Sequence, residues 1–266
     1  MKICSFAKEH INEPLVICIG VFDGLHLAHQ MLIAETISLA KELCAKSMVI
    51  SFSTNPKMSF GDKQKILPLQ TSKNFTEMLA NRGVNYSCVI DFSADMSKLF
   101  GEEFIALLCT SYKLKAMVVG NSFRCGHPSH SVGPSQIDKL LSKYTSAAFL
   151  KVMPSLLIEQ QEVSSSLIRR CLLTGDLEKV SKLLGRAYSL DFDGCSYTAE
   201  VNNVSQNRLL YDVRTLGQLL PCEGLYMVEA TGEGKSVKAS ACISDSHLVL
   251  DLPVRMQPDG ITFLGE

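Results

Sequence analysis

Five short apolar runs separated by helical patterns constrain the fold of this chain more than any other feature. The runs are Leu15–Val21, Ser47–Phe52, Tyr86–Asp91, Ala116–Gly120 and Ala147–Met153. Between them Ala28–Cys44, Ser72–Asn81, Gly101–Ser111 and Pro134–Lys143 read as helices. In the first helix, Leu32, Ile33, Ile37, Ala40, Leu43 and Cys44 keep the i, i+3, i+4 spacing of one buried face. Strands apolar on both faces and joined by helices predict a parallel sheet covered on each side. The expected fold is a doubly wound, Rossmann-like α/β domain, whose ligands bind beyond the carboxyl ends of the strands.

Two more helices follow, Ser164–Leu173 and Asp176–Leu184. Gly175 fits the C-terminal cap of the first and Asp176 the N-cap of the second. After Arg186 the pattern changes to alternating runs, Tyr197–Val201, Gly224–Glu229, Val237–Ile243 and His247–Leu252. Turn signals stand at Asn202-Asn203, Thr231-Gly232-Glu233-Gly234 and Asp259-Gly260. We expect two domains, residues 1–186 and a small antiparallel β-barrel-like domain over 187–266.

Composition narrows the function. With 26 Lys+Arg against 27 Asp+Glu, the chain lacks the basic excess of a general nucleic-acid binder. The apolar run beginning at Pro14 is broken by Asp23, well short of the ~20 residues that span a bilayer. The first ten residues hold no apolar stretch of signal-peptide length. None of the 10 cysteines forms a CxxC, and several sit inside apolar runs as small hydrophobes of a reducing compartment. These features predict a cytoplasmic protein.

Three stretches carry candidate chemistry. In Ile19-Gly20-Val21-Phe22-Asp23-Gly24-Leu25-His26-Leu27-Ala28-His29, a strand gives way to a helix start. Gly20 and Gly24 allow close backbone approach, the helix start offers N–H groups to an anion, and His26 and His29 can each donate to a phosphate oxygen. Taken alone, an HxxH more often marks one surface and one structural histidine; a first strand, two glycines and a helix start converging on the pair shift the balance toward phosphate. Zinc is disfavoured, because Leu27 and Ala28 stand where an HExxH helix needs its glutamate. The second stretch, Ser164-Ser165-Ser166 with Arg169 one turn further in, suits a polyphosphate tail, or is a plain serine cap with a solvated arginine. The third, Gly120 to Gly133, empties a strand into a loop holding Phe123, Arg124, His127 and His130. It is a ligand loop or an ordinary surface loop, and no protein-ligated metal is assigned to any of the three.

In this order, the GxFDGxHxxH stretch, Gly120 with Phe123-Arg124, Val163-Ser164-Ser165 with Ile168-Arg169, and Leu184-Gly185-Arg186-Ala187-Tyr188-Ser189-Leu190 resemble bacterial bifunctional riboflavin kinase/FMN adenylyltransferase, also called FAD synthetase. The resemblance runs nearly throughout residues 14–190. It implies transfer of AMP from ATP to FMN, giving FAD and pyrophosphate, with Mg²⁺ carried by the ATP phosphates. It implies that His26, His29 and Arg169 are catalytic. ATP would be bound by Gly20, Phe22, Asp23, Gly24, His26, His29, Ser164, Ser165, Ser166 and Arg169, and FMN by Phe52, Asn55, Phe123 and Arg124. Neither nucleic acid nor membrane is an implied partner.

The chain departs from the family pattern at named points. Ala28 replaces the glycine of HxGH, a cost of about 1 kcal/mol if that position needs φ > 0. Asn55 replaces a histidine near the flavin phosphate, Ser122 an acidic or amide residue, and Cys125 an aromatic. Leu220-Pro221-Cys222-Glu223-Gly224 resembles a fixed point of the kinase barrel, but the kinase's glycine-rich loop and PTAN motif are missing between 190 and 220. The expectation is a shortened β domain without kinase activity. A degenerate ATP- or flavin-binding member and a transferase with another phosphorylated acceptor are the alternatives.

Overall fold

The computed structural model describes residues 1–9, 11–52, 67–90, 98–203 and 206–265. Its first elements are β1 (Lys2–Cys4), β2 (Leu15–Ile19), α1 (Leu27–Glu42), β3 (Lys46–Phe52), α2 (Ser72–Asn81) and β4 (Tyr86–Ile90). Then come α3 (Gly101–Ser111), β5 (Leu114–Gly120), α4 (Pro134–Tyr144), β6 (Phe149–Met153), β7 (Leu157–Ile158) and β8 (Gln161–Glu162). Two helices, α5 (Ser165–Leu173) and α6 (Leu177–Leu184), lead into β9 (Ser189–Asp191), β10 (Tyr197–Asn203), β11 (Gln206–Asp212), β12 (Gly224–Gly232), β13 (Lys235–Ile243), β14 (His247–Leu252) and β15 (Gly260–Phe263). They form two compact units interleaved along the chain. One comprises Met1–Phe22, Ala28–Ile66 and Thr76–Leu157; the other comprises Asp23–Leu27, Leu67–Phe75 and Ile158–Glu266.

The first unit carries a six-stranded sheet in the order β1-β4-β3-β2-β5-β6, with every ladder parallel. All five residues of β2 are buried, which accounts for its unbroken apolar text. From β2 the chain steps through β3 to β4 in one direction, then returns to add β5 and β6 on the other side. The strand order thus reverses between β2 and β5, and doubly wound sheets bind ligands beyond the carboxyl ends of the strands at such a switch point. The structure therefore has the expected α/β fold, with the first and third motifs at its switch point.

Local details differ from expectation. The buried face of α1 is Ile33, Thr36 and Ala40, and Cys44 is exposed in a left-handed conformation just past the helix end. Thr36 escapes a purely apolar reading because its hydroxyl donates to the Leu32 carbonyl at 2.7 Å, so burial leaves no hydroxyl unsatisfied. β6 is not apolar on both faces: as an edge strand it leaves Phe149 and Val152 exposed, with Lys151 paired to Glu35.

In the second unit Ser164 caps α5 by accepting from the Leu167 amide, and Asp176 caps α6 by accepting from the Lys179 amide. Seven antiparallel strands follow in the order β10-β11-β14-β13-β12-β15-β9. Alternating burial gives the sheet one core face, to which β12 contributes Val228 and Ala230, β13 Ala239 and Ala241, and β14 Leu248 and Leu250. The predicted turn at Thr231–Gly234 is a two-residue hairpin with Glu233 and Gly234 at positive φ. The turn expected at Asn202-Asn203 is displaced, because β10 continues through Asn203 with irregular pairing after Glu200. β11 escaped prediction because its text, QNRLLYD, lacks β-branched residues and strict alternation.

Candidate active site

The second unit holds a tightly determined turn, Asp23–Leu27. Gly24 has φ +79° and Leu25 φ +42°, so two successive residues occupy the left-handed region, the second of them a fully buried leucine. A side chain on Gly24 would start 2.9 Å from Leu69 Cδ1, which fixes glycine there on two counts. Three successive carbonyls of this turn are held by side chains far along the chain. Ser165 Oγ donates to the Asp23 oxygen at 2.9 Å, Arg186 Nη2 to the Gly24 oxygen at 2.8 Å, and Arg186 Nη1 to the Leu25 oxygen at 3.4 Å. The Asp23 carboxylate accepts from the Leu69 amide at 2.8 Å and pairs with Arg169 Nη2.

This packing sets the local electrostatics. His26 is 4% exposed, and burial, seconded by the positive charge of Arg186, lowers its pKa to about 4. The imidazole is therefore neutral at pH 7, with one N–H to donate. Burial raises the Asp23 carboxyl above its ordinary range, against the opposing pull of Arg169 and the Leu69 amide.

The first unit positions the other candidates. Phe22 folds back over Gly20, where a Cβ would meet its ring at 3.2 Å, and meets the His29 ring edge-on with centroids 5.1 Å apart. His29 lies in the first turn of α1, where helix N–H groups and dipole favour an anion. Ala28 belongs to the same helix and has no positive φ, so the backbone cost foreseen for replacing glycine does not arise. Phe52 and Phe123 pack, half-buried, against the α/β core. Arg124 is exposed and donates to Ser131 Oγ and its carbonyl at 3.2 and 3.5 Å. The loop carrying it is closed by paired backbone bonds between Cys125 and Val132 and seated on the start of α3, where Gly126 leaves no room for a Cβ beside Gly101.

Of the residues singled out from sequence, the structure joins Asp23, Gly24, Ser165 and Arg169 in one cluster and Gly20, Phe22 and His29 in another. Ser164 serves as the α5 cap, and Ser166 is exposed. Asn55 lies outside the described residues. His127 and His130 share Ser129 Oγ through Nδ1 contacts of 2.7 and 2.8 Å, and His130 stacks on Phe100 at 4.2 Å. Among the described residues no group of three or more His, Cys, Asp or Glu side chains could hold a metal. Sequence reasoning missed Arg186 and Leu69 as site residues. Arg186 follows a left-handed Gly185 helix cap, a legible signal, whereas nothing in the text marks Leu69.

Comparison with known proteins follows the same lines. The FAD synthetase family model matches residues 8–167. The bifunctional riboflavin kinase/FMN adenylyltransferase of Buchnera aphidicola (subspecies Schizaphis graminum) is 29% identical over 183 residues, 68% of this chain and 58% of that protein. An FAD synthetase of Listeria monocytogenes is 29% identical over 187 residues, covering 69% of this chain and 74% of the relative. The bifunctional protein of Bacillus subtilis is 27% identical over 231 residues, 83% and 68% of the two chains. The chain thus spans little more than half the length of several curated relatives. The crystal structure of a macrolide-efflux protein from Streptococcus pneumoniae has the same fold, with a TM-score of 0.81 at 20% identity over 98% of this chain and 87% of that one. Since the family match takes in the switch-point strand, the left-handed turn, both histidines and the start of α5, the chain belongs to the FAD synthetase family.

Proposed function

We propose that this protein is an FMN adenylyltransferase that transfers AMP from MgATP to FMN and does not phosphorylate riboflavin. The observation that carries the reading is the Gly20–His29 segment, which follows β2 at the switch point and puts His29 in the first turn of α1. An oxygen of the FMN phosphate attacks the α-phosphorus of ATP. The bond from that phosphorus to the α,β-bridging oxygen breaks, and pyrophosphate leaves with magnesium as part of the substrate. No covalent protein nucleophile is needed, so catalysis consists of aligning two phosphates and stabilising charge on the leaving group.

In this reading His26 and His29 donate to ATP phosphate oxygens, His26 as a neutral imidazole. Gly20, Phe22, Asp23 and Gly24 shape the nucleotide pocket, and Ser164, Ser165, Ser166 and Arg169 serve the polyphosphate end. Phe52, Asn55, Phe123 and Arg124 serve the flavin side. Arg169 is engaged by Asp23, so its contribution includes fixing the turn that carries His26. We assign the transferase to residues 1–186 and a non-kinase β domain to 187–266, acting in the cytoplasm.

A chromatographic assay tests this directly. Purified protein with ATP and Mg²⁺ is offered FMN in one reaction and riboflavin in another. FAD from FMN and no flavin product from riboflavin is the expected result. FMN or FAD from riboflavin would restore a kinase to the β domain. Binding of ATP or FMN without FAD would make the protein a non-catalytic binder.

A further inference from the structure

The β sheet of the second unit reaches the left-handed turn through one buried side chain. Gln218 is 2% exposed and lies between β11 and β12, outside every motif singled out from the sequence. Its Oε1 accepts from the Asp191 amide, at the end of β9, at 2.8 Å. Its Nε2 donates to the Ser189 carbonyl at 3.2 Å and to the Leu69 carbonyl at 3.3 Å. The Leu69 amide then donates to Asp23 Oδ1 at 2.8 Å, while the Leu69 side chain fills the space against Gly24. One residue, Leu69, thus has its carbonyl held from the β sheet and its amide holding the carboxylate that pairs with Arg169.

Neighbouring bonds fix the same segment. The Leu219 amide donates to the Pro68 carbonyl at 2.9 Å, Thr71 Oγ1 to Asp191 Oδ2 at 2.8 Å, and Lys73 pairs with Asp193 at 3.5 Å. The last pair is exposed and contributes little. A buried carboxamide with three satisfied bonds to backbone groups of two separate segments, β9 and Leu69, fixes geometry far better than an exposed ion pair can.

We propose that Gln218 is a positioning residue for the adenylyl-transfer site, acting through Leu69 on Asp23 and so on the turn that carries His26. This rests on the proposed FMN adenylyltransferase reading. It gives the β domain a function independent of kinase chemistry, namely holding the left-handed turn of the transferase in its active geometry.

The test is a double-mutant cycle in the full chain, pairing Gln218→Met, near in volume and without hydrogen bonds, with Asp23→Asn. Gln218→Met should lower kcat for FAD formation at least tenfold. In the double variant the loss should be no greater than in Asp23→Asn alone, because both changes cut one relay. Unchanged turnover in Gln218→Met, or losses that multiply in the double variant, would overturn the proposal. Should Gln218→Met fail to fold, Gln218→Asn, which keeps the amide but shortens its reach, is held to the same outcomes. Asp251→Asn, which breaks an exposed pair with Arg208 in the same sheet, should leave turnover unchanged. Amide exchange read by mass spectrometry separates this proposal from the reaction it rests on. Peptides covering residues 23–27 should exchange at least tenfold faster in Gln218→Met whether or not FAD forms, and unchanged exchange there would refute the relay. Absence of FAD from the unmodified protein would instead refute the reaction.

Discussion

Asp23 and Arg169 are 146 residues apart in the chain, yet the carboxylate of one accepts directly from the guanidinium of the other. Both side chains are mostly buried, at 15% and 18% exposure. The pair joins the turn that follows β2 to the middle of α5, so two segments that read from sequence as separate anion sites are parts of one construction. The Ser165 hydroxyl, donating to the Asp23 carbonyl, repeats the connection from the start of the same helix.

Asp23→Asn removes the charge and leaves Arg169 part-buried without its carboxylate. Breaking a fully buried pair this way costs about 3–5 kcal/mol. Residual exposure and the desolvation that raises the Asp23 carboxyl both offset that here, so we expect no more than about 1 kcal/mol of destabilisation, read as a slightly lower urea midpoint with unchanged slope. A midpoint equal to that of the unmodified protein would mean the pair contributes nothing to the folded state.

His26 supplies a pH dependence of definite sign. Its pKa is about 4 in the folded protein, held down by burial and by Arg186, against about 6.5 in an unfolded chain. Between those values the unfolded chain binds more protons, so stability falls as pH drops through that window. The full difference is on the order of 3 kcal/mol, all of it present above pH 6.5 and lost by pH 4. Urea unfolding of the unmodified protein and of His26→Gln, compared from pH 7 to pH 4, should show this component in the first and not in the second. Parallel pH profiles would mean that His26 does not titrate as described.

Arg186→Met removes both bonds to the turn carbonyls of Gly24 and Leu25. Hydrogen bonds to charged groups contribute about 1.5–3 kcal/mol each, so a loss of about 3 kcal/mol is expected. Arg186→Lys should recover only part of it, since an ammonium is a point charge and cannot span two carbonyls as a planar fork does. Removing the charge should also raise the His26 titration midpoint, which NMR follows directly. A Lys variant equal to the unmodified protein would show that charge alone, without the fork, is enough.

The sheet and the helices were legible because their residues obey local rules. The buried run Leu15–Ile19, the Ser164 and Asp176 caps and the Gly175 turn each state their conformation within a few residues. The candidate site was legible only in its parts. Gly24 announces a left-handed position, but Leu25 beside it does not, and the hold of Arg186 on its carbonyl comes from 161 residues further along the chain. Gln218 and Leu69 carry no motif, because a relay through backbone groups can be built from almost any side chain of the right reach. Ala28 looked like a defect in the text and is ordinary helix in the fold. Pairings across 146 or 149 residues have no local signature in a single sequence.

His29 tests the chemistry itself. It stands in the first turn of α1 beside Phe22, whose ring meets its edge. If it donates to charge that develops as pyrophosphate departs, His29→Ala removes one transition-state donor, a loss of about 100-fold or more in kcat. The aromatic contact and the helix position are not strongly stabilising, so the variant should fold with a urea midpoint close to that of the unmodified protein. His29→Asn keeps an N–H of shorter reach and should fall between the two in rate. ATP affinity separates the possible roles: a fall in kcat with little change in KM marks stabilisation of the transition state, whereas a rise in KM alone marks ordinary binding. Near-unmodified kcat in His29→Ala would take this histidine out of the mechanism and leave His26 as the donor.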